Sequence, residues 1–419
     1  MERIQAFRFE LRPDAVQLRQ LKRFTGAARF VFNKALALQI ENHRLAQPFI
    51  HYVAMAKLLT AWRNSEETPW LKDPPTHALQ HTLKDLEKSY QNFFDKRADF
   101  PRFKKKNDGR AHGLRFPDRK QIKLDQANSR VSLPKLGWIR YRNSREVLGE
   151  VRNVTVSQDG EKWMISIQTR REVVAPAPTE ARADASMVGL DLGVVRFATL
   201  STGEVIAPLH SFRVHRQQLA KAQRKLSHKQ KYSQNWRKAK EKVARVHRKI
   251  RNARRDFLHK ASTHVSKNHA TVCIEDLQIA NMSKSSKGDQ QNPGINVAQK
   301  SGLNRAILDQ GWGEFRRQLA YKLAWRGGAL IAVSPQYTSQ TCPMCAHVSA
   351  DNRRTQASFV CVSCTFEQHA DLVAAINIRE RGHRSLACGE NGVRKPLVEA
   401  GTRRSKTRAR ENAVGIPVL

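Results

Sequence analysis

Val188-Gly189-Leu190-Asp191-Leu192-Gly193 is an apolar run that stops on an acid beside a glycine, the pattern of a buried strand presenting a carboxylate at its end. Val272-Cys273-Ile274-Glu275-Asp276-Leu277 repeats that pattern further along. A third acid opens Asp371-Leu372-Val373-Ala374-Ala375-Ile376-Asn377-Ile378, an apolar run with helical spacing, so Asp371 belongs at a helix start. Just before it lie Cys342-x2-Cys345 and Cys361-x2-Cys364. The three acids are far apart in sequence, so only a fold brings them together.

Hydrolysing a phosphodiester needs a water made nucleophilic and a leaving oxygen stabilised. Two divalent ions about 3.5–4 Å apart do both, and carboxylates must hold them. Magnesium, a hard ion, prefers such oxygen ligands. An acid at a strand end or a helix start is usually structural when it stands alone. The ordered set around a cysteine cluster makes Asp191, Glu275 and Asp371 the candidate catalytic and magnesium-binding residues. That order is how a divalent-metal nuclease of the RNase H type would be written.

Fifteen residues separate the two Cys-x2-Cys pairs, a zinc-ribbon spacing. Four thiolates fill a tetrahedral zinc shell, so Cys342, Cys345, Cys361 and Cys364 predict a structural ion; the alternative is four reduced, unliganded thiols. His347 and His369 are nearby but are not needed as ligands. Cys273 reads as a buried strand residue, and Cys388 falls in a loose tail with no evident partner.

The charge balance points to a polyanion as partner. Lys and Arg number 75 against 37 Asp and Glu, a formal charge of +38. A ribosomal or membrane-surface protein would share that balance. No run of 18 apolar residues occurs, so no membrane span is expected. The first residues, Met1-Glu2-Arg3-Ile4-Gln5-Ala6-Phe7, lack the apolar core of a signal peptide. Six cysteines, four at metal spacing, imply a reducing compartment and hence the cytoplasm.

Along the chain, Phe7, Phe9 and Leu11 alternate with charged residues as in a half-buried strand over 1–12. Residues 13–99 read as a helical lobe: one helix carrying Ala15, Leu18 and Leu21, a second carrying Phe30 to Ile40, a third over 51–62 and a fourth over 76–94. From 100 to 175 short strand-like runs separated by turn residues suit a small antiparallel barrel. Residues 176–186 read as a linker, and 187–335 as a nuclease core interrupted by a basic helical segment, 211–268. Within it, residues 213–260 hold 18 Lys and Arg against only Glu241 and Asp256. The zinc ribbon is expected over 336–368 and a last helix over 369–382. The basic tail from 383 to 419 reads as mostly disordered.

At this point the chain resembles the TnpB family, nucleases encoded by insertion-sequence transposons and related to type V CRISPR effectors. The resemblance covers nearly the whole chain. It is carried by Phe7-Arg8-Phe9-Glu10-Leu11-Arg12-Pro13, Ala28-Arg29-Phe30-Val31-Phe32-Asn33-Lys34, Phe100-Pro101-Arg102-Phe103-Lys104 and Leu133-Pro134-Lys135-Leu136-Gly137. It continues through the motifs around Asp191 and Glu275, Gly311-Trp312-Gly313-Glu314-Phe315, Ser339-Gln340-Thr341-Cys342, the second cysteine pair and Ala374-Ala375-Ile376-Asn377-Ile378.

The resemblance implies an α+β multidomain protein. In it a helical recognition lobe, inserted in a small β-barrel, precedes an RNase H-like (RuvC-type) nuclease core with an inserted zinc ribbon. It puts the catalytic acids on Asp191, Glu275 and Asp371. It implies two magnesium ions, one structural zinc, a guide RNA from the transposon end, and double-stranded target DNA cut beside a short duplex motif. A bacterial or archaeal, nucleoid-associated protein follows. Two departures from the family pattern stand out. Val373 replaces an Asn, and Ala346 and Thr365 stand where glycine commonly follows the second cysteine of each pair.

For nucleic-acid contacts, Tyr52, Thr76 and Gln80 are candidates for reading the duplex motif by their place in the recognition lobe. Ordinary helix-surface roles are the alternative. Arg102, Lys104, Lys105, Lys106, Arg248, Arg251, Arg254 and Arg255 suit RNA or heteroduplex phosphates; a solvated hairpin face is their alternative. Three other functions fit less well. A non-cutting RNA-guided repressor would be expected to lose an acid. A strand-transferring transposase would need a nucleophilic Tyr or another acid set. A CRISPR effector of the same chemistry is separated mainly by this chain's compact length. The oligomeric state is not readable.

Overall fold

The computed structural model describes residues 1–106, 113–174 and 187–387. These form two units, divided after Val174. The expected linker at 176–186 and Cys388 with most of the expected tail lie outside the described residues. Among the described residues no helix is long and apolar enough to cross a membrane.

The first unit begins with strand β1 (Glu2–Arg12), then helices α1 (Ala15–Arg44), α2 (Tyr52–Asn64) and α3 (Thr76–Phe94). Six strands follow: β2 (Gly113–Phe116), β3 (Lys123–Asp125), β4 (Arg130–Leu133), β5 (Gly137–Tyr141), β6 (Glu150–Asp159) and β7 (Lys162–Glu172). They build one antiparallel sheet of order β2-β6-β7-β1-β5-β4-β3. The first strand therefore pairs with the last, Phe7 opposite Ile167 and Phe9 opposite Ile165. All four side chains enter the core shared by the sheet and the helices. Each such fully buried side chain contributes roughly 1.5–3 kcal/mol.

α1 is a single helix where the sequence reading expects two. Asp14 and Gln17 close a reciprocal capping box at its start, Asp14 Oδ1 accepting from the Gln17 N–H at 2.8 Å. Only Gly26 interrupts the apolar face, and one helical glycine costs about 1 kcal/mol, too little to break a helix whose Leu21, Phe24, Val31 and Leu36 are buried together. β2 was also missed by that reading, because it offers only Leu114 and Phe116 to the core.

The second unit is built on a five-stranded mixed sheet of order β10-β9-β8-β11-β12. Its strands are β8 (Met187–Asp191), β9 (Ala198–Leu200), β10 (Val205–Ile206), β11 (Thr271–Glu275) and β12 (Ala329–Val333). β8, β11 and β12 are parallel; β9 pairs antiparallel with β8 and β10 pairs antiparallel with β9, so β10 runs in the direction of β8 again. Between β10 and β11 runs a hairpin of α4 (Ser211–Ser227) and α5 (Gln234–Asn268). Between β11 and β12 lie the short α6 (Ile279–Met282), α7 (Val297–Gln310) and α8 (Trp312–Ala324). Past β12, a cysteine-rich loop carries the small hairpin β13 (Ser358–Val360) and β14 (Glu367–His369). α9 (Ala370–Ala387) closes the unit and extends beyond the expected end at 382.

Side-chain alternation sorts the sheet's two faces. Val188, Leu190, Val272 and Ile274 pack on α5, α7 and α8 through Leu258, Val265, Ile307, Phe315 and Leu319. Gly189 and Cys273 point the other way, to α9. A Cβ on Gly189 would lie 2.0 Å from the Ala375 carbonyl oxygen, and one on Gly382 would lie 2.1 Å from Cys273 Sγ. Two glycines, one on the strand and one on the helix, thus let α9 lie close against β8 and β11.

Candidate active site and metal centre

The same alternation delivers the site. Asp191 and Glu275 are two residues past Gly189 and Cys273, so both fall on the face that α9 covers. The parallel register pairs Ile274 with Leu190, which sets the two acids side by side at adjacent strand ends. α9 starts beside them and carries Asp371 in its first turn. All three acids are half-buried.

Electrostatics record their convergence. The Asp191 carboxyl is pushed up to about 7 by burial first, then by the charges of Glu275 and Asp371; Arg353 and the Leu192 N–H oppose this. Burial also pushes Glu275 up, against the Thr338 hydroxyl, Arg381 and Arg353. A carboxyl repelled by two neighbouring carboxylates offers oxygen donors of the kind hard divalent cations prefer, with the His369 imidazole beside Asp371.

Neighbouring groups hold the acids in place. The Thr338 hydroxyl donates to Glu275 Oε1 at 2.6 Å. The Asn377 amide, on α9, donates to the Thr338 and Thr341 carbonyls at 2.8 and 2.7 Å. One buried asparagine so ties the helix that bears Asp371 to the loop that orients Glu275. The Asp371 N–H donates to His369 Nδ1 at 3.2 Å, and Arg196 Nε stands 3.9 Å from the Asp371 carboxylate. Sequence reasoning missed Thr338, Asn377, Arg196 and Arg353 as site residues. Asn377 and Thr338 stand in or beside motifs already noticed, but nothing local signals the two arginines.

The four cysteines meet as expected. Their sulfurs lie within 4.8 Å of one another, with Cys342–Cys364 and Cys345–Cys361 each at 3.6 Å. A tetrahedral shell with Zn–S near 2.3 Å requires sulfurs roughly 3.8 Å apart, so the cluster fits zinc. The two knuckles are one turn repeated. Cys342 N–H donates to His347 O and Ala346 N–H to Cys342 O; Cys361 N–H donates to Phe366 O and Thr365 N–H to Cys361 O. Buried Asn352 joins them, donating to Gln340 O and accepting from the Val362 N–H, each at 2.9 Å.

Ala346 and Thr365, the residues in place of glycine, sit at φ 60° and 61°. The left-handed region costs a residue with a Cβ about 1–2 kcal/mol. Ala346→Gly and Thr365→Gly should each slow zinc loss to a chelator, with a net gain of no more than about 1 kcal/mol because glycine also loosens the unfolded chain. Faster zinc loss from both variants would contradict this. Val373, the other departure, is fully buried in a cluster with Cys342, Phe359, Cys361 and Ala370. An apolar side chain there ties the ribbon to the start of α9.

The candidate nucleic-acid contacts are scattered by comparison. Tyr52 lies under the Lys84 ammonium, 4.8 Å from its ring centroid, and Thr76 accepts from Arg63. Gln80 is half-exposed on α3. Arg102 and Lys104 line a cleft of about 660 Å³ with Phe32, Asp85 and Arg115, and Asn33 clamps the Lys104 backbone by two bonds. Lys105 and Lys106 are exposed beside it. On α5, Arg251 and Arg255 are exposed and Arg248 is half-buried. Arg254 is committed within the fold, donating to Leu308 O at 3.1 Å and standing 3.8 Å from Asp309. Asp309 in turn caps α4 through Ser211 and the Phe212 N–H.

Comparison with known proteins agrees with this architecture. Residues 165–286 match the OrfB_IS605 family, described as "Probable transposase", and 312–378 match the Cas12f1-like TNB domain. Residues 1–47 match a model described as a helix-turn-helix domain, although they fold here as a strand and one continuous helix. The chain is 55% identical over 390 residues to "Putative RNA-guided DNA endonuclease InsQ" of Escherichia coli K12, covering 93% of this chain and 95% of that one. It is 34% identical to a "Putative RNA-guided DNA endonuclease" of Streptomyces pristinaespiralis, covering 99% and 98%. Its fold resembles that of a Cas12f1–sgRNA–target DNA complex solved by cryo-EM, with a TM-score of 0.50 at 13% identity over 86% of this chain and 82% of that one. The identity, extent and fold together place the chain in the TnpB-like OrfB_IS605 family.

Proposed function

We propose that this protein is an RNA-guided, divalent-metal-dependent DNA endonuclease of a transposon, with Asp191, Glu275 and Asp371 as its catalytic acids. The observation that carries the reading is the meeting of three carboxylates from β8, β11 and α9 on one face of the sheet. The strand order, an antiparallel β10-β9-β8 meander continued by the parallel strands β11 and β12, supports an RNase H-like (RuvC-type) core. The seven-stranded antiparallel sheet supports a barrel that carries the helical lobe. The names of the InsQ and Streptomyces relatives support RNA guidance and a DNA substrate.

Magnesium held by the three acids would supply an activated water and a stabilised leaving oxygen. The protein's own part is orientation and charge. Thr338 fixes the Glu275 carboxylate, Asn377 fixes Thr338 relative to Asp371, and Arg353 brings positive charge toward the place where a phosphate must sit. Zinc at the four thiolates would hold the ribbon that carries Arg353. Arg353→Ala should slow cleavage about 10²–10³-fold, the scale for losing one preorganised electrostatic partner, with zinc content and DNA affinity retained. Cleavage at the full rate would remove Arg353 from the site.

The basic surface of α5 and the strip Arg102 to Lys106 would bind RNA or heteroduplex phosphates, and Gln80 is the best placed of the motif-reading candidates. A non-cutting repressor is disfavoured by the intact triad of acids. The class is tested by purifying the full chain from its host and sequencing the bound RNA. A defined RNA ending in a variable segment supports the reading; no RNA, or random fragments, contradicts it.

A further inference from the structure

The turn between α4 and α5 carries a feature that neither the hairpin's packing nor the nuclease site uses. The hairpin is held by Leu219, Val246 and Ile250 with Phe212 and Val243. Tyr232 and Trp236, at its tip, lie outside that cluster. Their rings are 5.6 Å apart and tilted by 50°. Tyr232 is 74% exposed. It is also strained: Ser233 N–H donates to Gln230 O, closing a turn in which Tyr232 takes φ 70°. Glycine or asparagine is usual at that position, and an aromatic residue there costs about 1–2 kcal/mol. Strain kept at an exposed side chain points to a use for that side chain.

The surroundings identify the use. No Asp or Glu occurs between Glu204 and Glu241. Lys229, Lys231, Arg237 and Lys238 are exposed around the tip, and Lys240 Nζ lies 5.1 Å from the Trp236 ring centroid. An aromatic ring presented in a stretch rich in cations and free of acids suits a nucleobase whose phosphates the cations hold. A base stacked inside a duplex cannot reach such a ring, whereas an unpaired base in a structured RNA can be splayed out and is free to stack.

We propose that Tyr232, backed by Trp236, is a stacking site for an unpaired base of the RNA that this protein binds. The inference rests on the RNA-guided reading above. It predicts two effects of opposite sign from one substitution. Tyr232→Gly relieves the strained turn, so the melting temperature should hold or rise. The same variant loses the ring, so affinity for RNA should fall about tenfold. Tyr232→Phe should keep the affinity.

The probe is an in vitro transcript of the RNA that co-purifies with the full-length protein, titrated against wild type and both variants. Ultraviolet crosslinking of the ternary complex then tells which strand touches the peptide bearing Tyr232. Weaker RNA binding by the glycine variant at undiminished stability, with the crosslink on RNA, supports the site. Equal RNA affinity in wild type and glycine variant overturns it, as does a crosslink on a DNA strand alone. A drop in melting temperature that tracks the lost affinity also overturns it, since the ring would then be only a structural staple. A wild-type protein that binds no RNA defeats the underlying reading instead, so the two failures are distinguishable.

Discussion

Asp191→Ala, Glu275→Ala and Asp371→Ala should each abolish DNA cleavage, by at least about 10³-fold, while the affinity for guide and target is kept. The size follows from the several kcal/mol of transition-state stabilisation that bound divalent ions provide. The separation follows from where affinity comes from, which is base pairing and the basic surface rather than three acids. Chelation by EDTA should reproduce the variants. The Asp191 variant carries a further signature. Its carboxyl is half-buried and repelled by Glu275 and Asp371, so replacing it should leave the melting temperature of the metal-free protein equal or higher. Full cutting by any of the three would remove that residue from the site.

Cys361→Ser should cost the protein its zinc and, with it, its activity. Wild type is expected to hold one zinc per chain by elemental analysis. A structural zinc of this kind is worth roughly 10–16 kcal/mol of apparent binding energy near neutral pH, most of which appears as folding. The effect reaches the acids through packing. Cys342, Phe359 and Cys361 share one core cluster with Ala370 and Val373, and the Ala370 N–H donates to Ala357 O at 2.8 Å. Asp371 is the next residue. Loosening the ribbon therefore loosens the start of α9, and it also releases Arg353 from the neighbourhood of Asp191 and Glu275. Unchanged zinc and unchanged cleavage in the Cys361→Ser protein would contradict the assignment.

What could be read from sequence divides along physical lines. The places of the three acids were legible because a strand end and a helix start are local patterns, and the knuckles because metal ligands need fixed short spacing. The reason those acids meet was not legible. It lies in the glycines at 189 and 382, which matter only once α9 lies on the sheet. Arg353 and Arg196 were invisible for the same cause, since a charge gains its role from what the fold brings near it. Arg254 shows the converse. In sequence it is one more basic residue on a basic helix, and in the fold it also reaches Asp309 and the Leu308 carbonyl. The division of α1 into two helices failed because no local signal distinguishes a tolerated glycine from a break. α7 was missed because its apolar residues mark no buried face, Ile307 alone among them being deeply buried.

The central claim is that an RNA held by this protein directs metal-dependent cutting to a matching DNA. The most direct measurement replaces the variable end of the co-purified RNA with a chosen sequence. The reconstituted complex is then given magnesium and two plasmids, only one of which carries the match beside a randomised flank. The account predicts that the matched plasmid alone is cut, that the cut moves when the RNA end is changed, and that EDTA or the Asp191→Ala protein stops it. Cutting that ignores the RNA sequence, or that survives without divalent metal, would contradict it.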